Sequence, residues 1–296
     1  MNTKKKLLFL LNPISGTGKA KLHLFSMIEA FTSAGYLVTV YPTCGKGDAM
    51  RLAEEIGGDY DRVVCCGGDG TLNETVRGLL QGGHHTPLGY IPAGSTNDFA
   101  NSLGLPRQFV KAAQVAASGA PFACDIGAFE DNKFIYVAAF GVFAEVSFET
   151  SQQIKNILGH LAYVLEGVSR LSNLKSYHIR VTYEGGVIEE DCILGMVTNS
   201  LSVGGFRGLC GKDVKLDDGL FEVLLIRRPQ NAAEWQGLIT ALLQQDFSNR
   251  MLHSFTASSV RISSDVDILW TLDGEYGGAF KTASIKNLKQ AMQIIR

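Results

Sequence analysis

The feature that most constrains this 296-residue chain is one run, Gly67-Gly68-Asp69-Gly70-Thr71-Leu72-Asn73-Glu74, set between a short apolar stretch at 62–66 and a helical pattern. Three glycines around one carboxylate let a phosphate chain approach the backbone, and Asp69 beside it can help hold Mg²⁺. The bland alternative makes Asp69 a turn residue and Thr71 a helix cap.

Two further clusters repeat the arrangement, each after a strand-like run. Asn12-Pro13-Ile14-Ser15-Gly16-Thr17-Gly18-Lys19 precedes a helix, so its amides and the helix N-terminus can cradle phosphate oxygens. It is not a Walker A loop, because position 13 holds Pro where the first Gly is required and Ala20 follows the Lys. Pro92-Ala93-Gly94-Ser95-Thr96-Asn97-Asp98-Phe99 packs hydroxyl, amide and carboxylate into four residues, whereas capping alone needs one of them. In open parallel sheets, ligands bind at such strand ends.

The pattern around these clusters predicts parallel α/β units: strands at 7–11, 36–41, 62–66 and 88–91, with helices at 19–34, 48–56, 71–80 and 109–117. Leu24, Met27, Ile28 and Phe31 follow the i, i+3, i+4, i+7 spacing, and Gly35 stands where a C-terminal cap belongs. From about residue 122 strand-like runs follow one another, at 123–129, 134–140, 178–183, 192–198 and 220–226. Helical patterns at 151–171 and 232–245 interrupt them. The fold class read from this is α/β with two domains. An N-terminal nucleotide-binding domain covers 1–122, and a β-rich, sandwich-like domain covers 123–287.

Composition narrows the function classes. Glycine is in excess, 33 residues or about 11% against a usual figure near 7%, but only 7 prolines accompany it, which excludes collagen and Pro-Gly disorder. A net charge of -2 and a pI near 6.3 give no general pull toward nucleic acid. The longest apolar run, 11 residues at 134–144, falls short of the roughly 18 that span a bilayer, so no transmembrane segment is expected. Lys4 to Lys6 precede five apolar residues as in a secretory signal, but Asn12-Pro13 ends that run and no Ala-x-Ala site follows. Six cysteines without framework spacing, Cys65 and Cys66 among them, read as buried thiols in a reducing compartment. A cytoplasmic enzyme is expected.

These three clusters, with Leu216-Asp217-Asp218-Gly219-Leu220 and Leu272-Asp273-Gly274-Glu275, resemble the diacylglycerol kinase catalytic-domain family of soluble lipid kinases, which includes sphingosine and ceramide kinases and bacterial relatives. The resemblance spans almost the whole chain. It implies a nucleotide held in a cleft between the two domains, with residues 288–296 returning to the first. It implies ATP held by Asn12, Pro13, Ile14, Ser15, Gly16, Thr43, Gly67, Gly68, Asp69, Gly70, Thr71, Leu72, Asn73 and Thr96. Asp69, Asp98 and Glu275 are implied to link to Mg²⁺ and the acceptor hydroxyl. A second metal site is implied at Asp218 with the carbonyls of Lys215 and Leu220, although an Asp-Gly hairpin turn explains Asp218 equally.

The general base stays open between Glu275, which is preferred because Gly277 and Gly278 leave room for a bulky acceptor, and Asp69. Asp273 reads as either a catalytic carboxylate or a turn former. The acyl side is read from Phe140, Phe143 and the apolar residues at 157–171, which serve equally as core; His84, His85 and His160 lack metal-ligand spacing. The chain departs from the family at 204–212, where Phe206 and Arg207 interrupt the usual glycine run. The expected activity is ATP-dependent phosphorylation of a lipid hydroxyl, diacylglycerol to phosphatidic acid first. Sphingoid bases, ceramide and phosphatidylglycerol follow as acceptors, then an NAD kinase, then a non-catalytic binding module. The expected partner is a membrane lipid met peripherally at the inner face, with no nucleic acid; a homodimer stays open.

Overall fold

A computed structural model describes residues 4–142, 175–203, 206–207 and 214–296. The chain divides into two units, Met1–Cys124 with Gln290–Arg296, and Asp125–Lys289.

In the first unit β1 (Lys5–Leu11), β2 (Tyr36–Pro42), β3 (Arg62–Gly67) and β4 (Leu88–Pro92) form a parallel sheet in the order β2-β1-β3-β4. Leu7 to Leu11 are buried without alternation, as in a central strand covered on both faces. The open side of β4 pairs in parallel with Ile294 and Ile295. On one face α1 (Leu24–Ser33) packs against α5 (Phe109–Ser118), burying Phe9, Phe31, Val64 and Ala113 together. Separately, α2 (Asp48–Ile56) packs on α3 (Asp69–Gln81), and α4 (Asp98–Leu103) follows β4. The helix expected over 19–34 is divided: a 3₁₀ turn, Lys19–His23, precedes α1, because His23 (φ -105°, ψ 5°) leaves the α region. Gly35, at φ +90°, takes the left-handed conformation after it.

The second unit is largely antiparallel: β5 (Pro121–Phe129, entering from the first unit), β6 (Asn132–Phe134), β7 (Val137–Gly141), β8 (Tyr177–Tyr183), β9 (Gly186–Thr198), the short β10 (Ser202–Val203) and β11 (Phe206–Arg207), β12 (Phe221–Arg227), β13 (Leu252–Ala257), β14 (Ser259–Leu272) and β15 (Glu275–Ile295). The first half of β9 pairs with β8 and its second half with β7, and both partners also pair with β14. Trp270, fully buried, stands 4.9 Å from both Phe129 and Phe140 between ring centroids. Phe140 is therefore core. Among the described residues of this unit, helix α6 (Ala232–Gln244) is capped at its start: Asn231 Oδ1 accepts from Glu234 N at 3.0 Å, and Glu234 Oε2 accepts from Gln230 N at 2.7 Å.

The strand expected over 134–140 is broken between β6 and β7. Ile135, Tyr136 and Val137 direct their amides to the carboxylate of Asp273 instead of a ladder. Cys65, Cys66, Cys124 and Cys192 are buried and unbridged, and burial pushes the Cys66 thiol up to about 12, whereas Cys44, expected to be buried with them, is exposed on the loop after β2. Phe143, the helix expected over 151–171, His160 and most of 204–212 lie outside the described residues.

The α2–α3 contact depends on a missing side chain: a Cβ on Gly78 would stand 2.1 Å from the carbonyl oxygen of Met50 and 2.9 Å from Ala53 Cβ. Gly78→Ala is expected to lose about 1–3 kcal/mol through overpacking, read by urea denaturation followed by circular dichroism; an unchanged midpoint contradicts the tight contact.

Candidate functional site

In the first unit the loops after β1, β3 and β4 meet at the C-terminal edge of the parallel sheet. Gly16 sits at φ +57°, and a Cβ there would lie 2.2 Å from the carbonyl oxygen of Ala93, so the β1 loop touches the β4 loop backbone to backbone. Likewise, a Cβ on Gly94 would lie 2.7 Å from Gly68 Cα. Side chains then tie the loops. Asn12 Nδ2 donates to Thr71 Oγ1 at 3.0 Å, while Asn12 Oδ1 accepts from Ile14 N at 3.2 Å. Thr43 closes the neighbouring strand end through its own amide, donating to Leu11 O at 2.8 Å.

Asp69 is the point of convergence. Its Oδ2 accepts the amide of Asp98 at 3.2 Å and the hydroxyl of Thr96 at 3.4 Å. Gly68, extended at φ -85°, ψ -176°, is the N-cap of α3 and brings no capping side chain. As at any helix start, the first amides of this 13-residue helix lack acceptors within it and carry the positive end of its dipole. Thr71 is not the cap; it is buried, and its hydroxyl receives Asn12. Glu74 accepts from Gly47 N at 2.8 Å and so anchors the turn before α2. Ser15, Gly16 and Thr96 remain accessible, and Asp98 is 1% exposed at the head of α4.

Asn97, passed over as a site residue from the sequence, organises the third loop. It holds φ +51°, ψ +50°; its Oδ1 accepts from Gly94 N and its Nδ2 donates to Gly94 O, both at 2.8 Å. Tyr90 OH adds bonds to Gly67 O at 3.3 Å and Asn97 Oδ1 at 3.4 Å. The signal was present in the sequence, since Asn is a residue that tolerates the left-handed region and bonds its own turn.

Asp218, Asp273 and Glu275 belong to the second unit. Exposed Asp218 accepts from Leu220 N at 3.0 Å through Oδ1, a local turn, and Gly219 (φ +88°) donates its amide to Asp125 Oδ2 at 2.6 Å. Asp125, fully buried, also donates its own amide to Leu216 O at 2.7 Å. A carboxylate inside the apolar run 123–129 was the sequence signal for it. Nearby on β12, burial of Glu222, with the charge of Asp218 adding, pushes its carboxyl up to about 8. Asp273 and Gly274, both at positive φ (+51° and +81°), form the two-residue turn between β14 and β15, with Glu275 exposed directly after it. Among the described residues no cluster of three or more His, Cys, Asp or Glu side chains is arranged to hold a metal by itself. The carboxylates present supply hard oxygen donors, which fit Mg²⁺ bound by one or two carboxylates plus ligand phosphates.

Substitution at Asn97 separates its two contributions. Asn97→Gly removes the bonds to Gly94 and keeps the backbone at ease, while Asn97→Ala is expected to cost about 1–2 kcal/mol more from left-handed strain. Equal urea midpoints for the two variants contradict that assignment.

Comparison with known proteins gives consistent matches over the full chain. Residues 6–129 match the model of the diacylglycerol kinase catalytic domain, and residues 136–296 match that of the YegS C-terminal NAD kinase beta sandwich-like domain. A diacylglycerol kinase of Bacillus subtilis (strain 168) is 35% identical over 277 residues, 93% of this chain and 91% of that protein. One from Staphylococcus saprophyticus is 33% identical over 293 residues, 98% of this chain and 95% of that protein. In fold, a crystal structure of a diacylglycerol kinase from Bacillus anthracis str. Sterne superposes with a TM-score of 0.79 at 21% identity, covering 100% of this chain and 98% of that one.

Proposed function

The chain belongs to the diacylglycerol kinase family, and on that footing we propose that it is an ATP-dependent kinase of a lipid hydroxyl, converting diacylglycerol to phosphatidic acid. The observation that carries the reading is the meeting of three strand-end loops at the C-terminal edge of the parallel sheet, where Asp69, at the N-terminus of α3, accepts from the β4 loop and Asn12 of the β1 loop bonds Thr71. Diacylglycerol as the acceptor rests on the names of the relatives. The same names favour a lipid kinase over an NAD kinase, although the model that residues 136–296 match is described as NAD kinase beta sandwich-like.

Mg²⁺-ATP, when bound, supplies the γ-phosphoryl group and the charge neutralisation its transfer requires. The chain's own part is to bind and orient. Gly16, Gly68 and Gly94 let the three loops close on one another backbone to backbone, and the first amides of α3 present positive potential to phosphate oxygens. Asn12, Ser15, Thr43, Thr71, Asn73 and Thr96 line the remainder of the nucleotide side. Asp69 and Asp98 are the carboxylates offered to the cation. The amide and hydroxyl bonds on Asp69 Oδ2 hold one of its oxygens still, which suits an orienting role better than a proton shuttle. Glu275 takes the acceptor's proton: as the lipid oxygen bonds to the γ-phosphorus and the bond to the bridging oxygen of ADP breaks, the hydroxyl hydrogen passes to a Glu275 carboxylate oxygen. At the second proposed metal position, Asp218 with the carbonyls of Lys215 and Leu220 braces the turn that Asp125 already ties. The proposal has the acceptor met peripherally at a membrane surface; no helix among the described residues is long and apolar enough to cross a membrane.

A labelled-ATP assay against diacylglycerol, sphingosine, ceramide, phosphatidylglycerol and NAD tests the assignment. Label is expected in phosphatidic acid; label in NAD alone overturns the lipid reading. Asp69→Asn and Glu275→Gln are each expected to lower kcat by at least about 10², the lower end for a lost catalytic group. Wild-type turnover in either variant removes that residue from the mechanism.

A further inference from the structure

Glu275 is exposed on the first position of β15, one residue beyond a two-residue turn. A general base must stay within hydrogen-bond reach of the proton it takes, and a displacement of about 1 Å can cost on the order of 10² in rate. A bare hairpin tip does not supply that stiffness. The turn here is fastened at its first residue. Asp273 is buried, its Oδ2 accepts from Ile135 N at 2.7 Å, and its Oδ1 accepts from Tyr136 N at 2.9 Å and Val137 N at 3.0 Å. In the other direction the Asp273 amide donates to Val137 O at 2.8 Å. Four hydrogen bonds thus bind one turn residue to Ile135, Tyr136 and the first residue of β7, Val137.

Position 273 meets two demands at once. The backbone sits at φ +51°, where only Gly, Asn and Asp are at ease. Three converging amide donors require acceptors on both side-chain oxygens, which a carboxylate offers and an amide does not. Asn would turn an NH₂ toward the Ile135 amide, and Gly would keep the turn while releasing it from the segment below.

From this geometry we propose that Asp273 is a positioning residue: its carboxylate, committed to the amides of residues 135–137, mounts the β14–β15 turn and thereby fixes Glu275 for proton removal from the acceptor hydroxyl. The proposal rests on the assignment of Glu275 as the base. It gives Asp273 no contact with substrate and no proton to carry.

The test is a double-mutant cycle on the full-length protein, with kcat and KM for ATP measured at a temperature where circular dichroism shows each variant folded. Asp273→Asn is expected to lower kcat at least tenfold and leave KM for ATP within about twofold. Asp273→Gly keeps the positive-φ turn and is expected to do the same, so a folding failure of the Asn variant does not close the question. In the Glu275→Gln background, either Asp273 change is expected to alter the residual kcat by less than about twofold, because the group it positions is already gone. A merely structural role would lower both backgrounds by the same factor, and that result overturns the proposal. Wild-type kcat in a folded Asp273→Gly variant also overturns it, while leaving the kinase reading intact. Unchanged turnover in Glu275→Gln alone defeats the base assignment, and the positioning role falls with it.

Discussion

The loop after β4 lies backbone to backbone against the loops after β1 and β3 in the first unit, and the rest of the candidate site is arranged on that contact. Backbone can approach backbone at Gly16 against Ala93 and at Gly68 against Gly94 only where Cβ atoms are absent. That closeness puts the Asp98 amide and the Thr96 hydroxyl within reach of Asp69. The glycines weaken the loops entropically, and Asn97 and Tyr90 offset the loss with bonds that run to the same backbone groups. Flexibility of composition and fixity of structure are compatible here because the stiffening comes from side chains outside the glycine runs.

Much of this was legible in the sequence. The parallel α/β pattern of the first unit and the β-rich second half follow from apolar spacing, because Leu7 to Leu11 and the buried face of α1 state their environments directly. What spacing could not convey is long-range pairing between polar side chains and backbone. The run at 134–140 reads as one strand, and only a carboxylate 136 to 138 residues away in the chain explains why it breaks at Ile135. Asp125 was hidden in the same way, its partner being a glycine amide 94 residues distant. Asn97 was missed for a different reason: its role is local, but it stood between two residues whose chemistry is more conspicuous.

The acidic residues of the motifs therefore divide by what they hold. Asp69 accepts from neighbours in the loop after β4, whereas Asp125 and Asp273 spend their charge on buried amides, and Glu74 on the turn before α2. A carboxylate that satisfies several amides also removes the desolvation cost those donors would otherwise carry. A motif read as one chemical unit thus contains one residue exposed to solvent and another that serves the backbone, as Glu275 and Asp273 do two positions apart.

Ile294 and Ile295 complete the sheet of the first unit beside β4, and Arg296 exchanges backbone bonds with Ala120. The open flank of β4 is covered by residues that follow the whole second unit in the chain. An exposed parallel edge of this kind is a template for foreign strands, and pairing of such high sequence separation is slow to form. The second unit is thus an insertion in the sequence of the first, and a chain lacking residues 290–296 would leave β4 without its neighbour.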